Sequence, residues 1–441
     1  MLLIFNSQPS NRADYIFHLI MGELLGIEHK VVSDPDQFGS FSGPKFSYGS
    51  EPLADEVFLQ SAGLLSENGF SRGEPEMAGK EGSMVLFPVR HPASALPFDL
   101  FSASFYLVTR YEEYGSVTRD EHDRFLPENS IAYQMGCHGT PVVNRWALSW
   151  AEVLRERFPD LPGAGTKFTF LPTLDVDQAY AYRYKGGLRN MGGLVRDLLH
   201  GNIPDTVQRY RVLTGLERDP FDTYDYISAI HEKYRLRPVF FILLGDHGPN
   251  DKNISYTHPR FRELIQKLAK DHEVGIHPSY ASFTSPERLK TEIERLAAII
   301  GREVTCSRQH FLRFRLPQTF RDLADLGIRN EFSMGYAQEP GFRAGICTPY
   351  FFFDLTVNRT TPLRIHPFTV MDGTLADYKN YTQWQAENAV LELLNEVKTV
   401  GGTFISIWHN ESLSDQKRWH GWRGVYEKMA QMAMAEGSAM F

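Results

Sequence analysis

Two carboxylates, Asp175 and Asp177, close the segment TKFTFLPTLDVDQAY at residues 166–180. Residues i and i+2 of a strand point to the same side. Both carboxylates therefore emerge together at the strand's end, and their mutual repulsion calls for a positive group opposite. Similar residues recur at the ends of later β-rich runs: Asp246 and His247 in GDHG, His277 in EVGIH, Arg308 and His310 in SRQH. Arg343 follows in GFRAG, Asp372 in VMDGT and His409 in WHNE. Carboxylates and imidazoles around a cation are the parts of a metal-assisted hydrolase. Asp177 with one or both of His277 and His310 would hold a divalent ion. Zinc suits such donors best, with cobalt, nickel or manganese as alternatives. An ion of this kind lowers the pKa of a bound water from about 15.7 to about 7. Asp175 then serves as general base and His409 as the general acid for the leaving group. Arg308 or Arg343 pairs with Asp175 and orients it.

Positioning so many groups at one place requires strands whose C-terminal ends share a side. After residue 166 short β-rich runs alternate with helical patterns. The runs are 167–174, 238–244, 273–277, 303–307, 330–334, 363–367 and 403–408, and helices are expected at 259–270, 286–300, 318–326 and 384–399. Ser285 and Pro286 mark the start of the second helix as cap and first helical residue. This alternation implies a parallel sheet, open or closed into a barrel. In such folds the functional site lies at the C-terminal strand ends. Before residue 166 the chain predicts strands at 2–6, 29–33 and 83–89, an amphipathic helix around 12–25 and a second helix over 97–114. RFPDLPGAGTKF (157–168) is the expected linker, because Pro and Gly crowd it. The expectation is a small α/β domain over 1–160, then a larger α/β domain over 166–441.

Composition narrows the class. The 441 residues are 42% hydrophobic and carry a formal charge of -8, which disfavours a nucleic-acid partner. The three cysteines, Cys137, Cys306 and Cys347, have no paired spacing and read as reduced thiols. The N-terminal apolar runs have no basic leader, and His18 and Glu23 interrupt the second of them. No integral membrane segment is expected, and a bacterial cytoplasm is the expected location.

The motifs TLDVD, GIHPS, an Arg-containing strand end and ISIWHN, in that order, resemble the polysaccharide deacetylases (NodB-type domain, carbohydrate esterase family 4). The resemblance covers residues 166–441. It implies an irregular (β/α) barrel of about seven parallel strands and removal of acetyl groups from an N-acetylated carbohydrate. It also implies Asp175 as base, Asp177 and His277 as metal ligands, His409 as acid and Arg308 near the motif arginine. The N-terminal region resembles an uncharacterised domain that often precedes such deacetylases in Bacteroides-type bacteria. One position departs: the family's second metal histidine falls on Ala281. His310 is the first candidate to replace it and Asp246 the second.

Two rival functions follow. Ala281 motivates a metal-independent amidohydrolase acting on a small amide. The other rival is a catalytically inactive carbohydrate-binding protein, which retention of both Asp175 and His409 disfavours. Several residues also have plainer readings. His247 in GDHGPND reads as a solvated loop tip, Asp372 as a turn residue and Arg343 as a structural ion pair. His138, His258, His366 and His420 read as structural, Trp419 and Trp422 as packing residues, and RYEEY (110–114) as a solvated helix edge.

Overall fold

The computed structural model describes residues 1–70, 75–78, 85–162 and 165–435. The N-terminal region opens on four strands, β1 (Leu2–Asn6), β2 (His29–Val32), β3 (Lys45–Gly49) and β4 (Val57–Gln60). They form a parallel sheet in the order β2-β1-β3-β4. The expected helix near 12–25 is present as Asn11–Phe17, continuing into a wider turn over His18–Leu24. Ser10 caps it, its hydroxyl accepting from Ala13 N at 3.0 Å. A short antiparallel pair follows, β5 (Met77–Ala78) and β6 (Val85–Leu86). Of the strand expected at 83–89 only Val85–Leu86 is strand among the described residues, because Phe87 turns into the left-handed region at φ 57°; residues 83 and 84 lie outside the described residues, as do 163 and 164 of the expected linker.

The helix expected over 97–114 is shorter, Leu100–Val108, capped by Asp99. Arg110 then turns into the left-handed region at φ 53°, and Tyr111–Tyr114 forms a tight turn. RYEEY is not a solvated edge: Arg110 is 0% and Glu113 2% exposed. The cause is charge pairing that sequence proximity does not show. Glu113 accepts from Arg110 Nε at 2.7 Å and from Arg343 Nη2 at 2.6 Å. Burial pushes the Glu113 carboxyl up, but Arg343 and then Arg110 outweigh it and hold the pKa at about 2. That stabilisation is present above the unfolded carboxyl's ordinary range and fades as pH falls toward about 2. Glu113→Ala leaves the buried Arg343 guanidinium without its carboxylate and Arg110 with Glu112 alone, at 2.7 Å. It is expected to cost about 3–5 kcal/mol in chemical denaturation at neutral pH, and the difference from wild type should shrink toward pH 2.

The larger sheet is built from β7 (Thr169–Val176), β8 (Val239–Leu243), β9 (Glu273–His277), β10 (Cys306–Ser307), β11 (Asn330–Glu331), β12 (Tyr350–Asp354), β13 (Arg359–Ile365), β14 (Val370–Met371) and β15 (Thr403–His409). Its order is β12-β13-β11-β10-β9-β8-β7-β15-β14. Every neighbouring pair is parallel except β12 with β13. The fold is thus mixed α/β. The helices Pro259–Asp271, Pro286–Ile300, Gln318–Asp325 and Gln383–Val400 lie where the periodicity places them. Ser285 and Pro286 act as the expected cap and first residue.

β7, β8, β9 and β15 are buried along nearly their whole length, which is why they read as apolar runs rather than alternating ones. Pro172 sits inside β7 and has no N–H for the ladder. The carbonyl of Ser406, its partner residue on β15, accepts from Thr173 Oγ1 at 2.6 Å. Gly275 in β9 leaves room for the next strand: a Cβ there would stand 2.7 Å from the Cys306 carbonyl oxygen. The register then sets the site, with His409 opposite Asp175 and His277 opposite Leu243. One buried apolar cluster includes Phe101 and Trp150 from the N-terminal region with Leu174 and Phe353 from the larger sheet.

Candidate active site

The C-terminal ends of β7, β9 and β15 bring Asp175, Asp177, His277 and His409 to one cleft of about 270 Å³. His310 joins them from the turn after β10. Three donor atoms, one each from Asp177, His277 and His310, lie within 4.8 Å of one another. His277 Nε2 is 3.1 Å from Asp177 Oδ1, and His310 Nε2 is 3.4 Å from Asp177 Oδ2.

Both imidazoles are held from behind. His277 Nδ1 lies 2.5 Å from the Arg308 carbonyl, which only accepts, so Nδ1 carries the proton and Nε2 is free as a donor atom. His310 Nδ1 lies 3.0 Å from Asp251 Oδ1. Asp251 is itself fixed by the Tyr280 and Ala281 backbone N–H groups, at 2.8 and 3.3 Å. Ala281, which stands where the family pattern has a histidine, thus helps hold the carboxylate that orients His310. A carboxylate or carbonyl behind each ligating imidazole is the usual support of a metal site. The residues therefore fit a divalent ion, and the Asp/His/His set suits zinc. Burial raises the Asp177 pKa, but His310, then His277 and His409, outweigh it and hold the carboxyl well below its ordinary range. Burial lowers the His310 pKa, but Asp177 and then Asp251 carry it up to about 9. An incoming ion must displace that proton.

Asp175 occupies a different position. Its Oδ2 is 3.9 Å from His277 Nε2, and its Oδ1 is 3.6 Å from Arg308 Nη1. Arg308 is fully buried behind it, its guanidinium 4.8 Å from the Phe241 ring centre. Burial pulls the Arg308 pKa down, and Asp175 and Glu331 oppose that. His409 faces the cleft from the other side, with Nε2 3.8 Å from Asp177 Oδ2. Its Nδ1 is 2.8 Å from Asp372 Oδ1, and its backbone N–H donates to Asp372 Oδ2 at 2.8 Å. Burial lowers the His409 pKa, but Asp372, then Asp177 and Asp175, outweigh it and raise the pKa well above its ordinary value.

Not every candidate arrives. Arg343 is buried away from the cleft on Glu113, and its Nη1 donates to the Gly335 carbonyl at 3.0 Å. Its expected pairing with Asp175 is replaced by this structural one, leaving Arg308 as the arginine beside Asp175. Asp246 is exposed on a surface pair with Arg295 at 3.0 Å and does not join the donors. His247 is exposed in the same loop, as expected. Asp372 is more than a turn residue, since it holds His409. Asp251 was missed altogether. Nothing in GDHGPND distinguishes it from its neighbour Asp246, and only the packing of that loop against residues 279–282 gives it a role. Arg124, from the N-terminal region, also lines the cleft, where Nη2 donates to Tyr378 Oη at 3.0 Å. Trp419 is buried and lines the cleft, while Trp422 packs edge-on against it with ring centres 5.6 Å apart.

Residues 2–159 match the model of a family described as "Family of unknown function (DUF7033)". No curated protein matches the chain. Among solved structures, one from Mycobacterium smegmatis assigned as a polysaccharide deacetylase is similar at 15% identity and TM-score 0.42, over 62% of this chain and 86% of that one. The PuuE allantoinase is similar at 11% identity and TM-score 0.39, over 63% and 86%. The carbohydrate deacetylase Agd3 is similar at 7% identity and TM-score 0.37, over 99% and 83%. Scores of this size do not establish a shared fold. Among the described residues, no helix is long and apolar enough to cross a membrane.

Proposed function

We propose that this chain is a metal-dependent hydrolase that removes the acetyl group from an N-acetylated sugar or glycan precursor. The observation that carries the proposal is the convergence of Asp177, His277 and His310 beside a separate carboxylate, Asp175, and a separate imidazole, His409. Asp177 and the Nε2 atoms of His277 and His310 would hold the ion. When bound, it would polarise the amide carbonyl and activate the attacking water. Asp175 Oδ2 takes the proton from that water. His409 Nε2 gives its proton to the amide nitrogen as the C–N bond breaks, so acetate and a free amine leave. Asp372 keeps His409 Nδ1 protonated and the ring oriented. Arg308 places a positive charge behind Asp175. Arg124 and Tyr378 on the cleft wall offer a sugar polar partners.

The proposal includes two parts, residues 1–160 and 166–441, in a bacterial cytoplasmic protein. It also includes closure of the larger sheet into an irregular barrel of seven strand positions. Supporting closure, only four residues separate β13 from β14. Within them Phe368 N donates to Met334 O at 3.0 Å and Thr369 N to Ile405 O at 2.8 Å, tying the segment to both ends of the parallel array. A complete donor set with His310 in place of Ala281 favours this account over a metal-independent amidohydrolase.

The test is acetate release from an N-acetylated sugar oligomer, with the protein loaded with zinc or treated with chelator. Release only by the loaded protein is expected. Equal release in chelator, or none from any N-acetylated sugar, overturns the proposal. The acid's assignment has its own signature. Asp372→Asn removes the largest upward influence on His409, so the alkaline limb of the rate profile should move to lower pH. A merely structural role would lower the rate without moving that limb.

A further inference from the structure

The N-terminal region reaches the cleft through one tight turn, residues 119–125. Arg119 and Phe125 pair across it, Asp120 N donates to Arg124 O at 3.1 Å, and Asp123 N donates to Asp120 O at 2.9 Å. The Asp120 carboxylate fixes the tip. It accepts from the backbone N–H groups of His122 and Arg124, each at 2.9 Å, and from Arg124 Nε at 2.6 Å. Asp123 ties the turn to Arg315, on the segment that follows Phe311, at 2.6 Å. Arg124 is only 7% exposed, and its Nη1 donates to the Phe311 carbonyl at 3.3 Å. The His122 ring packs edge-on against the Phe311 ring with centres 4.8 Å apart, and its Nδ1 lies 3.4 Å from Tyr280 Oη.

These contacts fall on a strained place. Phe311 follows His310 directly and stands at φ 61° and ψ 10°, and Leu312 follows at φ 53°. Two consecutive bulky residues in the left-handed region are rare, because each Cβ crowds the backbone. Such a conformation persists only where the surroundings fix it. Here the fixing groups converge on Phe311: the Arg124 donor on its carbonyl, and the rings of His122, Tyr280 and His310, all centred within 5.3 Å of its own. Tyr280 also supplies an N–H that fixes Asp251, the carboxylate behind His310. The turn therefore touches the residue that continues the His310 backbone and the residue that anchors its carboxylate. On the reading of Asp177, His277 and His310 as metal ligands, we propose that this turn is a positioning element of the metal site. Arg124 and His122 hold the left-handed conformation at Phe311 that aims His310 Nε2 toward Asp177. The N-terminal region thus has a task inside the cleft as well as its own fold.

Zinc affinity of the full chain, measured by competition with a chromophoric chelator, tests this apart from hydrolysis and from any contact of Arg124 with substrate. Arg124→Met keeps the apolar stem and removes the donors. Combined with His122→Ala, it should raise the zinc dissociation constant by about tenfold or more, as loss of a group supporting a metal ligand does. Asn144→Ala is the control. Asn144 joins the same N-terminal region to Thr348 and Cys347, at 2.9 and 3.1 Å, and the Cys347 carbonyl accepts from Thr403 N at the end of β15 away from His409. That variant should melt at a lower temperature yet keep zinc affinity within about twofold, because the two places are far apart. A second measurement needs no substitution. Coupling is reciprocal, so zinc should slow amide hydrogen exchange at residues 119–125 of the wild type. Equal zinc affinity in the wild type and in Arg124→Met/His122→Ala overturns the assignment, as does exchange in the turn that zinc leaves unchanged. Equal weakening by Asn144→Ala reduces the effect to general stability and also overturns it. A wild type that binds no zinc overturns the metal-site reading itself, and this assignment with it.

Discussion

Asp175→Asn is expected to lower acetate release by roughly 10²–10⁴-fold, the range for loss of a general base, while leaving bound metal unchanged. The two carboxylates of the LDVD motif lie two residues apart yet occupy different surroundings. Asp177 contributes to the donor cluster with His277 and His310, whereas Asp175 stands outside it with Arg308 Nη1 3.6 Å from its Oδ1. On the proposed assignment, removing the Asp175 charge deletes the proton acceptor without deleting a ligand. Asp177→Asn should show the reverse order, losing metal first and regaining part of its rate in excess metal. Metal content by mass spectrometry, measured beside turnover for both variants, separates the two roles. If Asp175→Asn is the variant that loses metal while Asp177→Asn keeps metal and rate, the assignment is inverted.

Much of this site was legible in the sequence because parallel α/β folds put useful groups at one end of each strand. Asp175, Asp177, His277 and His409 follow apolar runs, and the ladder register lines up those strand ends. What was not legible depends on contacts between distant residues. Asp251 reaches His310 across 59 positions, and Glu113 reaches Arg343 across 230. No local pattern marks either pair. RYEEY therefore read as a solvated edge and Arg343 as a site candidate, when the two neutralise each other in the interior. Asp372 was ambiguous for a related reason: a turn carboxylate and one that orients an imidazole have the same sequence, and only β14 lying beside β15 decides between them. The antiparallel strand β12 likewise depends on tertiary packing rather than periodicity.

The second large effect is expected at the third metal donor. On the proposed assignment His310 takes the place of a ligand at position 281, and Asp251 holds its ring through Nδ1. Asp251→Asn keeps the shape but removes the charge that orients and polarises the imidazole. It should weaken metal affinity by about 10–100-fold, the usual effect of such a supporting group. His310→Ala should weaken it further. Because His310 in the metal-free protein holds its proton up to about 9, affinity in the wild type should climb as pH rises toward that value. The measurement that reaches the central claim most directly is an anomalous-difference map from zinc-soaked crystals of the wild type and of His310→Ala. The account predicts one strong peak in the wild type within about 2.0–2.2 Å of Asp177, His277 Nε2 and His310 Nε2, and loss of that peak in the variant. An empty site in the wild type, or a peak that survives unchanged without His310, would contradict it.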